Sequence, residues 1–185
     1  MINRLLFFLT FLGIFQTSQS LNAGEFGNIF GNESVEIDSR AASAQALNAI
    51  EMIFRAMRFR EVGESDGVEI LNDAVSELRS ATDAMEKILE DDFRDFALNE
   101  QQIALIENTF VPYFQTETED VKEFTNVSNF SELFRAFIRT GQVLASNIEN
   151  QLAVSIEQLM LPEISVTLEQ YLALGRLVTE ISRSF

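Results

Sequence analysis

The residues of this chain that could do chemistry are carboxylates, and the densest group of them is Glu90, Asp91, Asp92 and Asp95. Asp91 and Asp95 are four apart, so on a helix they share a face, a spacing that suits weak binding of a divalent cation. General acid/base work needs more: a cleft, and surroundings unlike enough to split two pKa values. The neighbouring residues supply neither. The plainer reading of such a run is a solvated helix end. A second group is basic. Arg55, Arg58 and Arg60 crowd a short stretch, and their ordinary role is to neutralise Glu61, Glu64 and Asp66 and the negative end of a helix. The sharper reading makes them a patch for an anion or a protein partner. Asn32, Asn126 and Asn129 each begin an Asn-X-Ser triplet, which accepts a glycan only in a eukaryotic secretory pathway. Asn129 also suits a helix cap.

Residue type excludes much else. The chain contains no His and no Cys. Serine and cysteine nucleophile systems that depend on histidine fall away, as do zinc-thiolate, iron–sulfur and covalently attached haem sites. The usual di-iron bundle, which requires Glu-x-x-His pairs, is excluded with them. Neither Lys87 nor Lys122 follows a Ser by three positions, so no Ser-x-x-Lys dyad exists. Phosphate-cradling glycine loops and calcium loops are also missing from the sequence. The chain reads as a non-enzyme without a cofactor.

Phenylalanine is abundant. Seventeen occur in all, against two Tyr and no Trp. Spaced along helical stripes they are core residues, but a bundle packed with aromatic rings can also leave an interhelical cavity for a small apolar ligand. Met52, Met57, Met85 and Met160 read first as gap-fillers.

The 185 residues begin with a stretch that resembles a leader. Arg4 supplies a positive start, Leu5–Phe15 is uncharged and apolar, and Ser18, Ser20 and Ala23 offer small residues for cleavage after Ser20 or Ala23. Eleven apolar residues fall short of the roughly 20 that cross a bilayer, so residues 1–23 are expected to be a removed signal peptide and the product secreted or periplasmic, with no stable membrane insertion after cleavage. Residues 24–33 are glycine-rich and aperiodic and read as a flexible N-terminal segment. Residues 34–185 form a single expected domain. The net charge of −16 repels nucleic acid and anionic lipid. Any charged partner is therefore basic, or is a divalent cation.

Behind these residues stands a helical pattern. A first helix is expected from Ser34 to Arg60, with Leu47, Ile50, Phe54 and Met57 as its stripe, widened by Ile53 and the alanines at 42 and 46, and stopped by Gly63. A second opens on the Asp66/Glu69 pair and runs to about Phe96; Val68, Leu71, Val75, Leu78, Thr82, Met85 and Leu89 keep 3-4 alternation resembling a coiled coil. Asn99 with Gln102 opens a third, ended near Phe110 by Pro112. A short segment follows at 117–126. Asn129 with Glu132 opens the longest helix, 130–160, buried along Phe134, Phe137, Gly141, Leu144 and Ile148. Pro162 starts the last, lined by Ile164, Leu168, Tyr171, Gly175, Val178 and Ile181.

The expected architecture is all-α: an antiparallel bundle of four long helices plus one short helix, preceded by the signal peptide. With apolar helices and no reactive side chains, the expected function is contact with another protein, as an adaptor, assembly or chaperone-like factor, or self-association. A carrier of a small apolar ligand is the alternative, and an acidic protein binding a divalent cation weakly is the second.

Overall fold

The computed structural model describes residues 33–61, 67–91, 95–110, 127–154 and 161–182, and among these it is all-helical. Five helices follow one another: α1 (Glu33–Glu61), α2 (Gly67–Asp91), α3 (Glu100–Phe110), α4 (Phe130–Val154) and α5 (Leu161–Ser182). The expected leader with its cleavage points, most of the segment 24–33, Asp66, the helix at 117–126 and the tail of the long helix beyond 154 lie outside the described residues. So does Phe185.

Direction follows from chain length and from paired residues. Five residues join α1 to α2 and reach at most about 18 Å, whereas α2 is roughly 37 Å long. Two helices so joined that lie along each other must run antiparallel. On α2 and α4, Arg79 meets Glu149 and Glu86 meets Gln142. On α4 and α5, Phe137 meets Tyr171 and Asn147 meets Thr167. The numbers rise on one helix as they fall on the next, so both these pairs are antiparallel too. Side-by-side packing runs α1–α2–α4–α5, with α3 laid against α5. The backbones of α1 and α5, at the two ends of this series, make no comparable approach.

The core is one continuous cluster in which Ile53, Leu78, Leu133, Leu144, Ile148 and Leu168 are fully buried. On α2 the expected line holds from Leu71 through Met85, while Val68 and Leu89 at its ends are only half-buried. The stripe of α1 is centred elsewhere than expected. Leu47, Phe54 and Met57 are half-buried, and the innermost line is Ala42, Ala46, Ala49, Ile53 and Ala56. Small side chains let two backbones come close, and α1 and α2 share the most extensive approach of any pair. The larger residues are thereby turned to the flank.

A second correction concerns the end of α2. Helix was expected to about Phe96, but Asp95–Asn99 is extended, and Ala97 forms an isolated antiparallel bridge with Asn129. Leu98 N–H donates to Ser128 O at 2.9 Å and Phe130 N–H to Phe96 O at 3.0 Å. An extended backbone here buries Leu98 and stacks Phe96 on Phe130, with ring centroids 4.8 Å apart. Two of the expected capping pairs lie wholly within the described residues, and both are present. Asn99 Oδ1 accepts from the N–H of Gln101 and Gln102 while Gln102 Oε1 accepts from Asn99 N–H; Asn129 and Glu132 do the same at the start of α4.

Candidate functional site

Tyr171 lies on the buried line of α5, between Leu168 and Gly175, and is 1% exposed. It ends a run of aromatic rings. Phe96, Phe130, Phe134, Phe137 and Tyr171 follow each other with centroid separations of 4.8, 6.3, 6.4 and 4.5 Å, and the last pair is nearly parallel. The three α4 members are spaced four and three residues apart, the spacing that keeps side chains on one helix face. Contacts of this geometry add stability beyond the area they bury.

Two glycines make room for the last pair. A Cβ at Gly141 would lie 2.8 Å from both Tyr171 Cε2 and Thr82 Cγ2, and one at Gly175 would lie 3.2 Å from Phe137 Cε2. The Tyr171 ring therefore occupies a notch in α4. Its hydroxyl has no hydrogen-bond partner and no contact with solvent. The nearby Thr82 hydroxyl does not take it up: that group turns back to the carbonyls of Leu78 and Arg79, each at 3.0 Å. Burial raises the Tyr171 phenol above its ordinary range, so it stays protonated and is a donor with nothing to donate to. An orphaned hydroxyl of this kind costs roughly 1–3 kcal/mol.

Beside Tyr171 is a partly open cavity of about 70 Å³ at the seam between α1 and α5. Its inner wall is Ile50, Met85, Phe134, Phe137, Tyr171 and Gly175, all buried; Ser43, Leu47, Leu172, Val178 and Thr179 stand at the more exposed rim. The volume would hold about two waters at the ~30 Å³ each occupies in the liquid. Its lining is mainly hydrocarbon, and the Thr179 hydroxyl at the rim already donates to Gly175 O at 2.8 Å.

The acidic cluster resolves differently. Asp95 Oδ1 accepts from the N–H of Phe96 and of Ser131, both at 3.0 Å, and Oδ2 accepts from Ser131 Oγ at 2.7 Å. This carboxylate thus anchors the first turn of α4, where negative charge is favoured. Glu90 is exposed on α2, Asp91 closes that helix and Asp92 lies outside the described residues. Among the described residues no three acidic side chains gather to hold a metal ion. Of the basic patch, Arg55 is exposed, and Arg58 and Arg60 belong to the last turn of α1. Asn129 spends its side-chain oxygen on the Glu132 N–H, and Asn32 and Asn126 lie outside the described residues. Sequence spacing did not single out Tyr171 or the cavity. The available signal was the pair of glycines on buried helix lines, which mark a close approach by something large.

Comparison with known proteins finds no matching family, no matching curated relative and no matching solved structure.

Proposed function

We propose that this chain is an exported, non-catalytic helical bundle that acts by binding another protein, with the acidic outer face of α2 as its contact surface. The observation behind this reading is the single sign of that face. Glu69, Asp73, Asp83, Glu86 and Glu90 are exposed and Glu77 is half-exposed along one helix. Against them stand Lys87 and Arg79, and Arg79 is already engaged by Glu149. A surface of one sign steers and orients a basic partner, and its binding weakens as salt screens it. Capture by the full chain from the exported fraction is the test. A basic protein should be retained at physiological salt, released near about 1 M salt, and lost when Asp73, Glu77 and Asp83 are changed to Lys. Retention indifferent to both salt and charge reversal would reject the acidic face, and sedimentation of a strict monomer that retains nothing would reject protein contact altogether.

One observation favours a second reading, the carrier of a small apolar ligand: the partly open, mainly apolar cavity at the α1/α5 seam. No described helix is long and apolar enough to cross a membrane, so that seam is not accounted for as a lipid-facing surface of a spanning helix.

A further inference from the structure

Helix α1 carries a charge pattern that reads the same in reverse once every sign is exchanged. Glu33, Glu36 and Arg40 stand three and four residues apart, Glu51, Arg55 and Arg58 four and three, and the eleven-residue step between the two sets is close to three turns. At 3.6 residues per turn all six positions fall within about 100° of the helix circumference, on one face. The other charges of α1, Asp38, Arg60 and Glu61, fall outside that arc. Between the two sets, residues 41–50 hold no charge at all. On the same side Ser43, Ala44, Asn48, Glu51 and Arg55 are exposed and Leu47 is half-buried. Pairing along a single helix can join Glu36 to Arg40 and Glu51 to Arg55, each four apart, but only weakly. It gives no account of Glu33 and Arg58, or of the mirrored intervals.

We propose that this face of α1 is a self-association surface, and that its partner is α1 of a second copy, laid antiparallel across a twofold axis near residues 45 and 46. In that register position 40 of one copy meets position 51 of the other, 36 meets 55 and 33 meets 58. Each of these contacts sets an acid against a base, and the twofold repeats each one. In the uncharged middle Ala44 meets Leu47, a small residue against a large one, and Ser43 meets Asn48. Charge selects this arrangement. A chain of net charge −16 repels its own copy wherever acids face acids. The antiparallel register opposes unlike charges at all six positions, whereas a parallel one sets every charge against its own kind. Ser43 and Leu47 also stand at the rim of the α1/α5 cavity, so a second α1 on this face borders the open side of that seam. The basic end of α1 thereby finds its complement in the acidic start of the same helix. This inference goes beyond the acidic-face reading, since it uses a different helix and a different partner, and either can fail while the other stands.

Sedimentation equilibrium of the full chain and of two charge reversals, each over a concentration series, is the test. The wild type should pass from monomer to dimer as its concentration rises. Arg40→Glu sets two acids against each other at the 40/51 contact, and Glu51→Arg sets two bases there. Each variant alone should raise the dissociation constant roughly tenfold or more. An equimolar mixture of the two restores unlike charges at both copies of the contact and should dimerise like the wild type, a rescue that a misfolded variant could not show. A wild type that stays monomeric throughout, or a mixture that associates no better than either variant alone, would overturn the proposal. Full recovery on mixing Arg40→Glu with the wild type instead would overturn the antiparallel register, because only a parallel pairing sets position 40 against itself. None of these outcomes touches the acidic face of α2, which the salt-dependent capture of a basic protein tests separately.

Discussion

At the scale of single residues, two polar side chains beside α4 stand at opposite ends of hydrogen-bond satisfaction, one exposed and one buried. Asp95 satisfies three donors from two segments 36 positions apart, and losing it leaves the N–H groups of Phe96 and Ser131 without that partner. Asp95→Ala is expected to lower stability by about 1–2 kcal/mol, the usual cost of a lost helix cap, measured as a shifted denaturation midpoint with unchanged slope. Tyr171 satisfies nothing. Tyr171→Phe is therefore expected to raise the melting temperature of the ligand-free protein, by up to the roughly 1–3 kcal/mol that an unmade hydrogen bond costs. A lower melting temperature would mean that the hydroxyl has a partner in solution, for instance a water in the adjoining cavity.

At the scale of elements, the caps and the buried lines were legible because they are local. Asn99 with Gln102 and Asn129 with Glu132 each close a loop of three residues, and their types and spacing define the interaction. Asp95 was not legible, because its partner Ser131 lies on another element, and a run of acids looks the same whether solvated or anchored. The line of α1 was only partly legible, with Ala42, Ala46, Ile50 and Ile53 anticipated but the centre put on Leu47, Phe54 and Met57, for a related reason. Alanines at 42, 46, 49 and 56 carry little hydrophobic weight in a pattern, yet they line the most extensive helix pairing in the fold, which no single helix can reveal. Gly141 belongs to the same class. An alanine in a helix interior is favoured over glycine by about 1 kcal/mol, but here its Cβ would meet Tyr171 and Thr82 at 2.8 Å. Overpacking costs roughly 1–3 kcal/mol, so Gly141→Ala is expected to destabilise despite its better propensity, and Thr82→Ser should recover part of the loss. A gain in stability would show that the notch has slack. Between α2 and α4, the Arg79 guanidinium donates to Glu149 and holds its carboxyl below the ordinary carboxylate range. A depressed native pKa stabilises the fold above the unfolded value and ceases to do so as pH falls through the native one. Both side chains are nearly half exposed, so Glu149→Gln should cost less than about 1 kcal/mol. That gap should be open at neutral pH and close on strong acidification; a gap independent of pH would assign the loss to packing.

At the scale of the whole molecule, charge and core are nearly separate problems. Among the described residues the core cluster runs through all five helices, Tyr171 is its one ionisable member, and the carboxylates lie at or near the surface. The chain has 29 acidic residues against 13 basic ones, and residues 61–100 alone hold 13 of the acids with only 3 bases, a net of −10. Acids thus outnumber bases in this stretch more than four to one, and the folded state, being more compact than the unfolded one, suffers more from their repulsion. The exposed Arg79–Glu149 pair works in the opposite direction, but pairs of that kind contribute about 1 kcal/mol or less. Repulsion among many should outweigh attraction within a few. Raising sodium chloride from about 10 mM to about 150 mM shortens the Debye length from roughly 30 Å to roughly 8 Å, a change that spans the length of α2. The melting temperature followed by circular dichroism is therefore expected to rise over this range and then to level off, since closer neighbours are the last to be screened. A melting temperature that falls with added salt would show that ion pairs, not the apolar seams between helices, hold this bundle together.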